Sequence, residues 1–136
     1  MGVKCMACND ESNGWYIFLV NNEINEWIMG QNTDYEKAVT FKGTDLKYLL
    51  KIESEGFSMD DDDFKVILRN SFGTKKVEIE KSQMLKSGDD GYIFTFSTDD
   101  VGTSEIVMTT IAYVPDSDFD DGIRTEVERF VLCIIK

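Results

Sequence analysis

From residue 38 onward the chain alternates apolar and polar side chains with a period of two. Leu46, Tyr48, Leu50 and Ile52 interleave with Lys47, Leu49, Lys51 and Glu53, the signature of a strand with one buried face. Phe64, Val66 and Leu68 repeat the pattern against Lys65, Ile67 and Arg69. Val77 and Ile79 do so against Lys76, Glu78 and Glu80, and Tyr92, Phe94 and Phe96 against Ile93, Thr95 and Ser97. Residues 105–114 (EIVMTTIAYV) form a longer, mostly apolar run rich in β-branched side chains, which predicts a central strand. Residues 123–135 predict one more strand. The expected core contains Leu50, Val66, Phe94, Phe96 and Ile111.

Turn residues punctuate these runs. The strongest signal is Ser87-Gly88-Asp89-Asp90-Gly91; further breaks fall at 55–63, 70–74, 101–102 and 115–122. Towards the N-terminus, 15–20 and 23–29 are short apolar-aromatic segments separated by Asn21-Asn22. That pair tolerates a left-handed turn and predicts a hairpin, with a short helix at 23–29 as the competing assignment. Residues 1–14 show no period and read as an arm or loop. No long amphipathic helix interrupts the strands, so the fold class is all-β, a sandwich or small barrel. Composition shifts near 34–37. This divides the chain into an arm or hairpin at 1–35, too small to fold alone and packed on the body or a partner, and a β-sandwich domain at 36–136.

Composition changes the picture mainly through charge. With 42% hydrophobic and 12% aromatic residues, 136 residues suffice for one packed core. Fourteen basic residues against 26 acidic ones give a net charge of -12 and a pI near 4.3. Such a surface repels phosphate backbones and anionic lipid, so neither nucleic acid nor membrane is an expected partner; cations, basic protein surfaces or simple solubility fit better. No run approaches the roughly 18 apolar residues of a membrane span, and a secretory signal is not expected. Three cysteines, Cys5, Cys8 and Cys133, are no disulfide framework and suit a reducing, intracellular site.

The chain has no histidine, which removes histidine acid–base chemistry and histidine metal ligands. It carries no nucleophile elbow, P-loop or dinucleotide fingerprint. No catalytic residue and no cofactor are assigned, and an enzyme is not expected. Cys5-x-x-Cys8 has knuckle or redox spacing, but only Cys133 remains to complete a zinc set, and no thioredoxin-like unit surrounds it. Asp60-Asp61-Asp62-Asp63 and the loop with Asp116, Asp118, Asp120, Asp121 and Gly122 are the metal candidates, the second a weak calcium one. It shares its first, third and fifth acids with an EF-hand loop, but its glycine is one place late and Val127 stands at position twelve. A solvated acidic turn is the default for both. Trp15, Tyr16, Phe18 and Trp27 are either an interface anchor or a cap on the core. Arg124 and Arg129 are expected to pin the acidic loop through Asp118, Asp120 or Glu126, an intersubunit pair being the alternative.

The strand and turn spacing from Phe41 to the Val-Pro-Asp at 114–116, followed by Asp-Gly-Ile-Arg-Thr-Glu at 121–126, resembles the immunoglobulin-like N-terminal domain of phage baseplate upper proteins. It is also similar to small structural proteins of Bacteroidales phages and prophages. The resemblance covers about residues 38–135 and excludes the aromatic N-terminal segment. It implies an all-β, immunoglobulin-like β-sandwich with a short N-terminal aromatic extension. The implied role is a non-catalytic structural or assembly module acting through protein–protein contacts. It would self-assemble or bind other proteins, in the host cytoplasm during assembly and then in the virion. Two alternatives stand beside it: a carbohydrate- or ligand-binding sandwich, and a small acidic inhibitor presenting its Asp clusters to a basic nucleic-acid-binding protein.

Overall fold

The two-residue period folds into ten strands among the described residues: β1 (Gly14–Val20), β2 (Asn25–Ile28), β3 (Ala38–Thr40), β4 (Asp45–Glu53), β5 (Phe64–Asn70), β6 (Lys76–Glu80), β7 (Leu85–Ser87), β8 (Gly91–Ser97), β9 (Ser104–Pro115) and β10 (Ile123–Ile135). The structure is a computed structural model that describes residues 14–20, 25–28, 38–88 and 91–136. Within 14–20, 25–28 and at Ala38 it describes the backbone and, of the side chains, Ile17. The Cys5-x-x-Cys8 pair and the Asp89-Asp90 turn lie outside the described residues.

The strands form two five-stranded sheets. Sheet I has the order β2-β1-β4-β8-β7 and sheet II the order β3-β10-β9-β5-β6. Neighbours are antiparallel except β3, which runs parallel to β10 at one edge of sheet II. The expected all-β class is therefore present, built as two sheets.

Alternation gives each sheet one apolar face, and the two faces share a single core. Sheet I contributes Ile17, Tyr48, Leu50, Ile52, Phe94 and Phe96; sheet II contributes Phe64, Val66, Leu68, Ile106, Met108, Val114, Leu132 and Ile135. Each such side chain stabilises by about 1.5–3 kcal/mol through removal from water. Tyr48 stacks on Phe94 and Phe96 along sheet I, at 5.7 and 6.2 Å between ring centroids. Phe64 of sheet II meets Tyr92 of sheet I edge-on at 5.3 Å. Cys133 is buried beside Tyr48; burial pushes its thiol up to about 11, and the hydrogen bond to Tyr48 works the other way.

Two local features hold the turns. At Gly91 any side chain would collide with Leu49, whose Cδ1 would lie 2.6 Å from an added Cβ. Buried Asn70 closes the β5–β6 turn: its amide donates to the carbonyls of Val101 (2.7 Å) and Thr103 (2.9 Å), and its side-chain oxygen accepts from the Phe72 N–H (2.9 Å). It thereby ties that turn to the segment leading into β9.

The structure departs from the sequence expectation in three places. Ile111 is half-buried on the outer face of sheet II, because the inward set of β9 is Ile106, Met108, Thr110, Ala112 and Val114. Both faces of that run are apolar enough to hide its phase. β3 and β7 were not anticipated, since three residues are too few to display a period.

Phe94 is 1% exposed, so Phe94→Ala is expected to cost about 3–5 kcal/mol in denaturant unfolding. Ile111→Thr, on the outer face, is expected to cost about 1 kcal/mol or less. Equal losses at the two positions would contradict this assignment of faces.

Candidate functional site

A two-layered antiparallel fold normally solvates its outer faces with polar side chains. The outer face of sheet II does not follow that rule. Across β10, β9 and β5 the register aligns Val127 with Ile111 and Lys65, Arg129 with Thr109 and Ile67, and Val131 with Val107 and Arg69. Ile67, Arg69, Ser71, Val107, Thr109, Ile111, Val127 and Arg129 line a shallow trough of about 520 Å³. Its floor is aliphatic, with Val127 50% exposed.

Two of the chain's three arginines stand in this trough. Arg129 donates from Nε to the Thr109 hydroxyl at 3.1 Å. The Arg69 guanidinium makes no hydrogen bond or ion pair among the described residues. The nearest acid on the β6 rim, Glu78, is held by Lys65 at 3.1 Å. That contact holds the Glu78 carboxyl below its ordinary range and the Lys65 ammonium above its own, while Glu80 is raised by Glu78 beside it. Past Ser71 the turn presents Phe72, 86% exposed. Its partner segment holds Ser104 at φ 139, a conformation L-residues rarely adopt, with the Ser71 and Ser104 hydroxyls 3.3 Å apart.

The acidic clusters serve their own loops. Asp60 is ion-paired with Lys86 and accepts from the Tyr92 hydroxyl at 2.6 Å. Lys81 donates to the carbonyls of Asp60 and Asp62, both at 2.9 Å, and its ammonium lies over the rings of Phe64 and Tyr92 at 5.7 and 5.8 Å. Asp62 accepts from the Ser58 N–H and Asp63 from the Phe64 N–H. A cavity of about 430 Å³, lined by Asp63, Glu80, Lys81, Ser82, Met84 and Tyr92, opens beside this clamp.

The 116–122 loop is built similarly. Asp116 accepts from the Asp118 N–H at 3.0 Å and is ion-paired with Arg124, which also meets Glu126 at 3.1 Å. The hydrogen bond from Asp118, then Arg124, holds the Asp116 carboxyl below its ordinary range. Asp121 accepts from the Ile123 N–H. Backbone bonds Phe119 N–H to Asp116, Gly122 N–H to Phe119 and Asp116 N–H to Gly122 lock the turn. Arg124 therefore pins the loop through Asp116 and Glu126 rather than Asp118 or Asp120, and Arg129 turns to Thr109 on the outer face. As a calcium candidate the loop has Asp116 already committed to Arg124, and no three Asp, Glu or Cys side chains group as metal ligands among the described residues.

In the N-terminal strands, Trp15 is in register with Ile52, Tyr16 with Lys51, and Phe18 with both Trp27 and Leu49. Their side chains lie outside the described residues. The backbone register places Trp27, Phe18, Leu49, Ile93 and Leu85 in one row across sheet I. Leu85 in that row is 73% exposed.

The sequence signal for the trough was present in Ile67, Val107 and Ile111, apolar residues in the second phase of strands whose first phase is also apolar. No family model matches the chain, and no curated protein matches it either. Among the described residues no helix is long and apolar enough to cross a membrane.

The Asp60–Tyr92 bond has a pH consequence on both limbs. Lys86, then Tyr92, holds the Asp60 carboxyl below its ordinary 3.8. Its contribution is therefore present above that value and lost as pH falls through the depressed one. Tyr92 is pushed up to about 12, first by the bond to Asp60 and then by burial. Its neutral phenol contributes fully below the ordinary 10 and loses that contribution as pH rises through about 12. A spectrophotometric titration should show a late phenol in the native chain that is missing in Tyr92→Phe. If both proteins titrate identically, the bond does not persist in solution.

Proposed function

We propose that this chain is a non-catalytic structural or assembly module of a phage or prophage particle, with an immunoglobulin-like β-sandwich that acts through protein–protein contacts. The observation that carries the reading is the outer face of sheet II. An aliphatic floor crossed by two arginines, with few acids, is the composition of a protein interface centre rather than of a solvated sheet face. In a chain of net charge -12 the location of those arginines is the more telling. The spacing resemblance of 38–135 supports the particle context, with the chain made in the host cytoplasm and carried into the virion.

The other readings draw less support from the described residues. The trough offers aliphatic side chains rather than the aromatic platforms on which a sugar ring stacks. A phosphate mimic needs free carboxylates in an array, whereas Asp60, Asp62, Asp63, Asp116 and Asp121 are bonded within their own loops.

The test is recovery with particles. A tagged chain expressed alongside the encoding phage or prophage should be found in purified particles at a fixed copy number, and Arg69→Glu/Arg129→Glu should be left out of them. Recovery of the native chain solely as free protein overturns the proposal.

A further inference from the structure

The trough needs an occupant, and the chain itself carries one of matching chemistry. The 116–122 loop projects Phe119, 47% exposed, between Asp118 and Asp120. Neither of these aspartates makes a hydrogen bond or ion pair through its carboxylate among the described residues. Asp116 and Asp121, by contrast, are consumed in holding the loop shape. The result is an apolar ring flanked by two free negative charges on a locked turn. The trough is the complement: an aliphatic floor flanked by Arg69 and Arg129.

The dimensions agree. Arg129 and Arg69 are separated by β9 and by one two-residue register step, about 12 Å between Cα atoms given strand spacings of about 4.8 Å and rises of about 3.3 Å. Asp118 and Asp120 are at most about 7 Å apart at Cα. Arginine side chains folding inward from either side bridge that difference. The chain's own loop does not reach its own Arg129, which lies six residues along β10 from Ile123, about 20 Å from the loop base. The turn's backbone hydrogen bonds also prevent it from bending back.

We propose that a second copy of this chain occupies the trough, its Asp116–Gly122 loop seating Phe119 on the aliphatic floor with Asp118 and Asp120 facing Arg69 and Arg129. This rests on the reading of the outer face of sheet II as a protein interface and names its partner. The locked turn lowers the ordering cost of binding. At about 0.15 M salt the Debye length of about 8 Å screens the mutual repulsion of two acidic molecules but leaves contact pairs in force.

Light scattering and sedimentation at about 0.15 M salt, over a range of concentrations, test it. The native chain should show a mass above its 15.5 kDa monomer. Phe119→Ser, Asp118→Asn/Asp120→Asn and Arg69→Glu/Arg129→Glu should each weaken association at least about tenfold. Their unfolding midpoints should stay close to native, since these side chains lie at the surface and the one bond lost is the exposed Arg129–Thr109 contact. Mixing Asp118→Lys/Asp120→Lys with Arg69→Glu/Arg129→Glu should restore association that neither shows alone. A native chain that stays monomeric throughout, or an oligomer indifferent to both sets of substitutions, overturns the inference. A monomeric chain that still enters particles would refute self-docking while leaving the assembly role intact.

Discussion

The edge-on contact between Phe64 and Tyr92 is the joint on which the molecule depends. It spans the two sheets at 5.3 Å, and its surroundings fix both rings. Phe57 packs against Phe64 from the long loop before β5, at 6.2 Å, and Lys81 lies over both aromatic faces. The hydroxyl of Tyr92 then reaches Asp60 in the same loop. One aromatic pair thus sets the separation of the sheets, the path of residues 54–63 and the start of β5. Because β5 carries Ile67 and Arg69 on its other side, the geometry of the outer trough follows from a contact on the inner face.

Much of the architecture was legible because several strands keep one mostly polar face. Tyr48, Leu50 and Ile52, or Phe94 and Phe96, alternate with Lys47, Lys51 and Glu53, or Thr95 and Ser97, and the period declares which side is buried despite Leu49 and Ile93. β9 was legible as a strand but not in its phase. Ile111 and Met108 are both apolar, and which of them turns inward is decided by pairing with β5 and β10 rather than by the residue itself. β3 and β7 exist because longer neighbours recruit them, a tertiary effect that three residues cannot announce. Of the trough, the sequence carried the apolar second phase but not the assembly: its residues come from β5, β9 and β10, and only the register brings Arg69 and Arg129 onto one face.

The charge of the chain is similarly informative only once its positions are known. A net charge of -12 suggested surface arrays of free acid. In the described loops Asp62, Asp63, Asp116 and Asp121 instead serve as local hydrogen-bond acceptors that close turns, the role for which a short carboxylate side chain is suited. What distinguishes the surface is therefore a small basic and aliphatic area within an acidic exterior, with Asp118 and Asp120 among the carboxylates left unbonded.

The parallel seating of β3 on β10 bears on how the chain reaches this state. Ala38 pairs with Cys133, and the Lys42 and Lys136 amides extend the contact to Lys136 and Thr40. The partners stand far apart in the sequence, so this strand pairing carries a large loop-closure entropy and belongs late in folding. Until it forms, β10 offers a free edge at Cys133, Ile134 and Ile135, the end of an uncharged β-prone stretch that begins at Phe130, of the kind that nucleates intermolecular sheets. Three residues of β3 therefore cover the apolar end of that edge of sheet II, and slow docking of β3 would expose the nascent protein to misassembly during synthesis.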